Sequence, residues 1–372
     1  MNGKPEVGVG IVGYGLMGRA HAYGYTVAPR VRELPCSPQL RVLSGRDERQ
    51  VSAAAVRYGV PEWTTDWTDV VTRPDVQIVD VCTPPGTHAE IVEAAVGSGK
   101  AVLCEKPLAV DYASAAAAAD AAAAASVPSA IGFNYRKLPG LALMKQLVDE
   151  GRIGEVLLWR GVWLSDEFLD PDIPFDWRFE RALGASTISD LGSHLVDLAL
   201  WLVGDIESVS AQSETFTRER SGREVDVDEA SSALVRFADG ARGVFDLARV
   251  CARRPCDFFV EVNGTKGTLR FDYPNLNELW YGDTRDDDTY YGLRRIRAEH
   301  PTHPYAGDWW PIGQGIGYGA TFVNQAADLL ERWPDGPWEP DLAQGARVQA
   351  VCEAMERAAL EQRWVQIEEV LS

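Results

Sequence analysis

The run Val7–Val12 is apolar throughout, and Gly13-Tyr14-Gly15-Leu16-Met17-Gly18 follows it without a break. A buried strand that turns through G-x-G-x-x-G straight into a helix leaves few folds open. The first glycine permits the tight turn, the second lets a phosphate approach the main chain, and the third lets helix and strand pack closely. The free N–H groups at the helix start supply donors and partial positive charge for a pyrophosphate. The segment predicts a dinucleotide-binding βαβ unit, with Gly13, Tyr14, Gly15, Leu16, Met17 and Gly18 against the cofactor. Without its flanking strand and helix, the same spacing would describe only a glycine-rich turn.

The first third continues in the same pattern. Apolar runs at Leu40–Ser44, Ile78–Cys82, Ala101–Cys104 and Ser129–Gly132 alternate with helical stretches at Val51–Tyr58, His88–Gly97 and Ser114–Ala125. Strands that are apolar on both faces and separated by helices predict a parallel sheet covered on both sides. The Ala115–Ala125 tract reads as a plain helix, capped by Asp111 or Ser114. After Asn134 the pattern changes. A helix over Pro139–Glu150 precedes longer alternating runs at Val156–Trp163, Ser208–Thr217, Ala230–Phe237, Arg242–Val250, Phe258–Asn263 and Gly267–Phe271. Asp239-Gly240 and Asn263-Gly264 read as hairpin turns. Further helices are expected near His194–Leu202, Ala320–Arg332 and Ala343–Leu360, and Tyr281–Gly319 reads as a long functional loop. The fold class is α/β: an N-terminal Rossmann doubly wound parallel sheet over residues 1–133, then an α+β domain with a large, mostly antiparallel open sheet over 134–372.

Composition agrees with two ordinary globular cores: 372 residues, 46% hydrophobic and 24% charged. A net charge of −19 speaks against a nucleic-acid partner, which needs clustered Lys and Arg. No run approaches the 18 or so apolar residues of a membrane span, so no membrane partner is expected. Pro5 and Glu6 stand where a signal peptide would carry its apolar core, and the six cysteines form no C-x-x-C pair. The expected compartment is the reducing cytoplasm.

The end of the second strand bears on which dinucleotide binds. Enzymes that use NAD usually place an acid there for the ribose hydroxyls, whereas this chain has Ser44-Gly45-Arg46-Asp47. With Gly45 in the acidic position, repulsion of a 2′-phosphate is gone, and the Arg46 guanidinium offers it a forked donor. Ser44, Gly45 and Arg46 therefore point to NADP. NAD is the alternative, with Asp47 reaching a ribose hydroxyl. Thr83 and Pro84 close the strand Ile78–Cys82 at the edge where doubly wound sheets bind ligands. They are assigned to the cofactor together with His88. One strand on comes Glu105-Lys106-Pro107, whose lysine is either a solvated charge or a site residue. The chain has five histidines: His21, His88, His194, His300 and His303. His194 stands four residues after Asp190 and three before Asp197, partners able to orient and tune an imidazole. The alternative is a structural histidine. Asp190 and His194 lack a nearby third ligand, so no metal is expected.

In their order and spacing, the G-x-G-x-x-G turn, Glu105-Lys106-Pro107 and the Asp190…His194 pair resemble the glucose–fructose oxidoreductase/inositol dehydrogenase/MocA family, over essentially the whole chain. Phe133-Asn134-Tyr135-Arg136, Trp177-Arg178-Phe179 and the stretch from His303-Pro304-Tyr305 to Gly319 are similar to its levoglucosan dehydrogenase-like subgroup. The resemblance implies an NAD(P)-dependent dehydrogenase acting on a sugar, glycoside or cyclitol. Lys106 would lie against nicotinamide and substrate and steady the reacting oxygen, with Lys106-Pro107 as a candidate cis bond and Glu105 beside the cofactor. His194 would be the general base and Asp190 its partner. Asn134, Tyr135, Arg136, Trp163, Trp177, Arg178, His303 and Tyr305 complete the expected substrate residues. At least one aromatic from Tyr305–Trp310 is expected to cover a sugar ring, while Trp163 and Trp177 also suit a core. Family habit implies a homodimer or homotetramer paired through the second domain. The chain departs from the family pattern at Thr83-Pro84-Pro85, where Thr-Pro-Asn is frequent, and at Gly45-Arg46. Two other activities fit the same fold: an epimerase-type cycle with retained cofactor, and a non-catalytic dinucleotide sensor.

Overall fold

A computed structural model describes residues 3–372. The chain divides into two compact units: one runs up to Lys137 and adds Gly317–Ala346, and the other comprises Leu138–Ile316 and Arg347–Ser372.

In the first unit, β1 (Glu6–Val12) leads into α1 (Leu16–Val31), β2 (Ser37–Ser44), α2 (Glu48–Tyr58), β3 (Glu62–Thr64) and α3 (Trp67–Thr72). There follow β4 (Ile78–Val81), α4 (His88–Gly97), β5 (Ala101–Cys104), α5 (Tyr112–Ala125) and β6 (Ser129–Ile131). The six strands are parallel in the order β3-β2-β1-β4-β5-β6. That is the doubly wound order, and it reverses beside β1, where such sheets bind ligands. The alternating runs predicted this sheet except for β3, a short and largely exposed strand without an apolar signal. Asp111 caps α5 by accepting the Ser114 N–H, so of the two candidate caps the aspartate serves.

A single cut after residue 133 leaves out the returning segment Gly317–Ala346. Its helix α8 (Gly319–Glu331; labelled, like the helices below, in chain order) lies against α1, where a Cβ on Gly24 would come within 2.7 Å of the Phe322 carbonyl oxygen. Asp328 accepts from both Arg32 and Lys137 at 2.7 Å, and Asn134 donates to Thr321 at 2.8 Å. These contacts join pieces some 190–300 residues apart in sequence, which local periodicity cannot register.

The second unit holds α6 (Pro139–Asp149) and α7 (Ser193–Leu202), with α9 (Leu342–Glu361) from Arg347 onward and α10 (Glu368–Leu371) closing the chain. Its strands are β7 (Val156–Leu164), β8 (Ile206–Glu214), the small hairpin β9 (Glu219–Arg220) and β10 (Arg223–Glu224), β11 (Ala230–Phe237), β12 (Arg242–Ala248), β13 (Asp257–Gly264), β14 (Gly267–Asp272), β15 (Glu278–Asp283), β16 (Arg294–Arg297) and β17 (Val365–Gln366). Nine form one sheet, β16-β15-β14-β13-β7-β12-β11-β8-β17. Every pairing is antiparallel except β7 with β12. In β11, Ser231, Ala233, Val235 and Phe237 are buried while Ser232, Leu234 and Arg236 are exposed, the alternation of a one-sided sheet. Part of the expected loop Tyr281–Gly319 is strand: β15 overlaps its start and β16 lies inside it. The sequence RRIR of β16 is a mostly exposed, charged edge, which carries no apolar alternation. The Asn263-Gly264 signal also misplaces a turn. Gly264 is the last residue of β13 and the bend is Thr265–Lys266; a Cβ at Gly264 would sit 2.2 Å from the Ile153 carbonyl oxygen. Among the described residues, no helix is long and apolar enough to cross a membrane.

Candidate active site

The cradle at the end of β1 follows from its glycines. Gly13 has φ +114°, and a Cβ there would lie 2.5 Å from the Cys82 carbonyl oxygen. A Cβ on Gly18 would lie 1.9 Å from the Gly13 carbonyl oxygen, whereas at Gly15 it would meet open space. The outer glycines thus serve packing, and the middle one leaves room for a ligand against the backbone. No side chain caps α1 at Gly15, and Leu16 and Met17 form its first turn, Leu16 well exposed. Those N–H groups suit a pyrophosphate. The cradle fits a dinucleotide.

At the tip of β2, the buried Ser44 accepts the Gly13 N–H at 2.9 Å, and Gly45 donates to Thr64 at 3.1 Å. The Tyr14 ring covers Gly45 so closely that a Cβ would be 2.0 Å from its Cδ1. Tyr14 is fixed in turn by the Tyr58 hydroxyl on its carbonyl at 2.7 Å. Arg46 is exposed. Asp47 caps α2: one carboxylate oxygen accepts the Gln50 N–H at 2.9 Å and the other the Gln50 side chain at 3.3 Å.

The tips of β4 and β5 are bound together. His88 is fully buried, with one ring nitrogen on the Pro107 carbonyl (2.7 Å) and the other on the Thr83 carbonyl (2.6 Å). Burial pushes its pKa below the ordinary value, against the pull of those carbonyls. Both nitrogens are taken by main chain, so His88 ties the two loops together. Thr83 accepts the Thr87 hydroxyl at 2.8 Å, and Pro84 precedes the turn Pro85–Thr87 that opens α4. The Lys106–Pro107 peptide is cis. Glu105 is buried, and one of its carboxylate oxygens accepts the Lys106 N–H at 3.1 Å. The other oxygen meets His21 Nε2 at 2.9 Å, while His21 Nδ1 faces both oxygens of Asp80 at 2.9 Å. The sequence names His21 only as one of five histidines and does not single out Asp80. A lone acid inside the apolar run Ile78–Cys82 was the available signal, since a buried carboxylate requires a partner.

In the second unit, Ile188–Gly192 is a π-helical turn running into α7; it carries Asp190, and His194 follows at the second position of α7. Such turns concentrate at functional sites. His194 is buried, its ring stacked on Trp163 with centroids 5.6 Å apart, and Trp163 stacks on Phe258 at 5.0 Å. The Asp190 carboxylate pairs with Arg249, which the sequence does not single out. Arg249 is buried and also meets Glu167 at 3.3 Å. Burial disfavours its charge, but Asp190 and then Glu167 outweigh this and hold it cationic. Trp177 packs against the cluster of Phe168, Phe179, Ala185, Val225 and Val227, and Arg178 lies 4.8 Å over the Trp177 ring. The Arg178 guanidinium also meets Asp176 at 3.2 Å. His303 is half-buried, its ring 5.6 Å from that of His300. Burial and then His300 lower its pKa. Tyr305 has φ +63°, a left-handed conformation uncommon outside glycine. Of the other substrate candidates, Lys106, Asn134, Tyr135 and Arg136 belong to the first unit. Asn134 and Tyr135 are buried, and the Tyr135 ring lies 6.0 Å from that of Tyr318.

Residues 7–133 match the family model described as an oxidoreductase family with an NAD-binding Rossmann fold, and residues 141–270 match the GFO/IDH/MocA C-terminal domain. Levoglucosan dehydrogenase of Pseudarthrobacter phenanthrenivorans is 33% identical, over 98% of this chain and 99% of that protein. The chain belongs to the GFO/IDH/MocA oxidoreductase family. Two solved structures show how closely this family member follows the shared fold. An oxidoreductase domain protein from Kribbella flavida is 42% identical with a TM-score of 0.95, covering 98% of this chain and 99% of that one. Levoglucosan dehydrogenase in complex with NADH and levoglucosan is 34% identical, also with a TM-score of 0.95, covering 97% and 99%. The GFO/IDH/MocA enzyme described here is thus an NAD-binding oxidoreductase, and its two-sheet architecture is that of the family.

Proposed function

We propose that this enzyme oxidises a secondary alcohol of a cyclic sugar, glycoside or cyclitol, with preference for NADP(H) over NAD(H). The observation that carries the substrate class is full-length similarity to levoglucosan dehydrogenase, solved with NADH and levoglucosan. Inositol 2-dehydrogenase of Rhizobium meliloti, 28% identical over 70% of this chain, supports the wider substrate class.

When bound, the dinucleotide supplies the hydride acceptor at its nicotinamide ring. Gly13–Gly18, with Ser44, Gly45, Arg46, Thr83 and Pro84, would hold it, and Glu105, whose carboxylate is engaged by His21 and the Lys106 N–H, would act through the backbone it fixes. His194 takes the hydroxyl proton as the carbon gives up its hydride, leaving a ketone. An imidazole titrates near neutrality, which suits a base that must also return its proton. The Lys106 ammonium offsets negative charge on the reacting oxygen. Asp190 orients His194. Asn134, Tyr135, Arg136, Trp163, His303 and Tyr305 form the sugar-binding set, and Trp177 and Arg178 shape the loop next to it. An aromatic from Tyr305–Trp310 covers the apolar face of the ring. The enzyme acts in the cytoplasm as a homodimer or homotetramer.

For the cofactor, the supporting features lie at the tip of β2. Gly45 brings no carboxylate, Arg46 is exposed and Asp47 is engaged as a helix cap. A panel of sugars, glycosides and inositols with NAD and NADP, followed at the nicotinamide absorbance, tests the whole reading. Turnover of added cofactor with at least one cyclic polyol is expected, faster at low NADP than at equal NAD. Activity confined to small linear hydroxy acids overturns the substrate class. Reaction without turnover of free cofactor favours the retained-cofactor cycle.

A further inference from the structure

His21 lies on α1, three residues beyond the last glycine of the cradle, yet its side chain is only 1% exposed. Its nitrogens span two strands, with Asp80 of β4 on one side and Glu105, directly after β5, on the other. A neutral imidazole would turn a lone pair towards one of these carboxylates. An imidazolium, which donates from both nitrogens, fits this pair of carboxylates. The electrostatics agree: burial would lower the His21 pKa, but Asp80, with Cys82, raises it well above the ordinary value.

Glu105 is the part that reaches the site. One carboxylate oxygen is held by His21 and the other by the backbone N–H of Lys106. The surrounding chain makes room for this clamp: a Cβ on Gly132 would lie 2.8 Å from the carboxylate oxygen that faces His21. The Glu105 backbone is pinned as well, donating to the Val81 carbonyl at 2.8 Å. From α8, the Phe322 ring lies 5.5 Å from the imidazole. The helix that opens the pyrophosphate cradle is thus bolted, through one imidazolium and one carboxylate, to the main chain that presents Lys106.

We infer that His21 is a positioning residue for Lys106, acting through Glu105. The inference rests on the proposed role of Lys106. Loss of the imidazolium releases one Glu105 oxygen, so the carboxylate no longer fixes the Lys106 N–H and the ammonium wanders from the reacting oxygen. Misplacement of a reacting group by about 1 Å costs roughly a hundredfold in rate.

A double-mutant cycle tests this on the full chain, reading kcat, KM, cofactor affinity and melting temperature. Expected for His21→Gln is a fall in kcat of about ten- to a hundredfold, with cofactor affinity changed by less than about threefold. In the Lys106→Ala background the same substitution lowers kcat no further, because the residue it positions has gone. A merely structural role would instead give factors that multiply, and that result overturns the inference. So does near-native kcat in His21→Gln. If His21→Gln does not fold, Glu105→Gln enters the same cycle with the same expected non-additivity, since its amide oxygen still accepts from Lys106 while the ion pair with His21 is lost. Lys106→Ala retaining native kcat defeats the underlying reading, an outcome separate from failure of the His21 link with Lys106 essential.

Discussion

Each unit of the molecule sets a cation against two carboxylates, and the two clusters are built differently. In the first unit the His21, Asp80 and Glu105 side chains are 1%, 0% and 6% exposed. In the second, Arg249 is 2% exposed, but its partners Asp190 and Glu167 are 34% and 50% exposed. Removing three charges from water is costly, and the arrangement survives only if every hydrogen-bonding atom finds its partner. Such a sealed group holds one geometry. The second cluster keeps its anions hydrated at modest cost, so a carboxylate there can respond to what arrives beside it. A sealed cluster suits the placing of a backbone; a half-open one suits chemistry.

The sharpest break of that comparison is His194→Ala, two helical positions beyond the π-turn that carries Asp190. If the half-open region works on substrate, turnover falls about a hundredfold or more while cofactor affinity barely moves. Steady-state rates at neutral pH, with cofactor titration alongside, check this. Near-native turnover would make His194 structural and remove the functional half of the contrast.

A second arginine sharpens the energetic half. Arg220 and Glu229 pair at 2.9 Å with both side chains 0% exposed, and Arg220 also donates to the Phe168 and Asp170 carbonyls. Arg220→Met strands a buried carboxylate and should cost about 3–5 kcal/mol in chemical denaturation. Arg249→Met leaves carboxylates that water can reach, so its stability cost should be clearly smaller. Equal costs would show that exposure of the partners does not govern these clusters.

What the sequence revealed follows the same division. Local periods exposed the parallel sheet, the one-sided alternation of β11 and the glycine cradle, because each is written in neighbouring residues. The His21–Asp80–Glu105 cluster joins residues 59 and 84 positions apart, and Arg249 lies 59 positions beyond Asp190. No spacing rule reaches that far. A sealed cluster can still leave a trace, as Asp80 does amid Ile78, Val79 and Val81. Arg249 leaves none, since it directly follows an ordinary alternating strand. Gly45 is a further lesson. The sequence shows that an acid is missing there, but only the structure shows the Tyr14 ring in the space it would fill. Gly45→Glu alone must displace Tyr14 and cannot serve as a clean switch to NAD.

The tip of β2 sets the same contrast on the smallest scale, in two adjacent residues. Arg46 is exposed, whereas Asp47 has both carboxylate oxygens turned to Gln50 as the cap of α2. A hydrogen bond to a charged group contributes about 1.5–3 kcal/mol, or roughly ten- to more than a hundredfold in affinity. Arg46→Ala should therefore weaken NADP(H) by about that factor and spare NAD(H), leaving the melting curve unchanged. Asp47→Ala should do the reverse. It removes a helix cap, at about 1 kcal/mol of stability, and leaves affinity for both cofactors essentially as it was. Tighter binding of NAD(H) by the wild type, unaffected by Arg46→Ala but lost in Asp47→Ala, would mean that Asp47 leaves its cap for the ribose. The preference would then belong to NAD, and the helix cap would be a resting position rather than a fixed one.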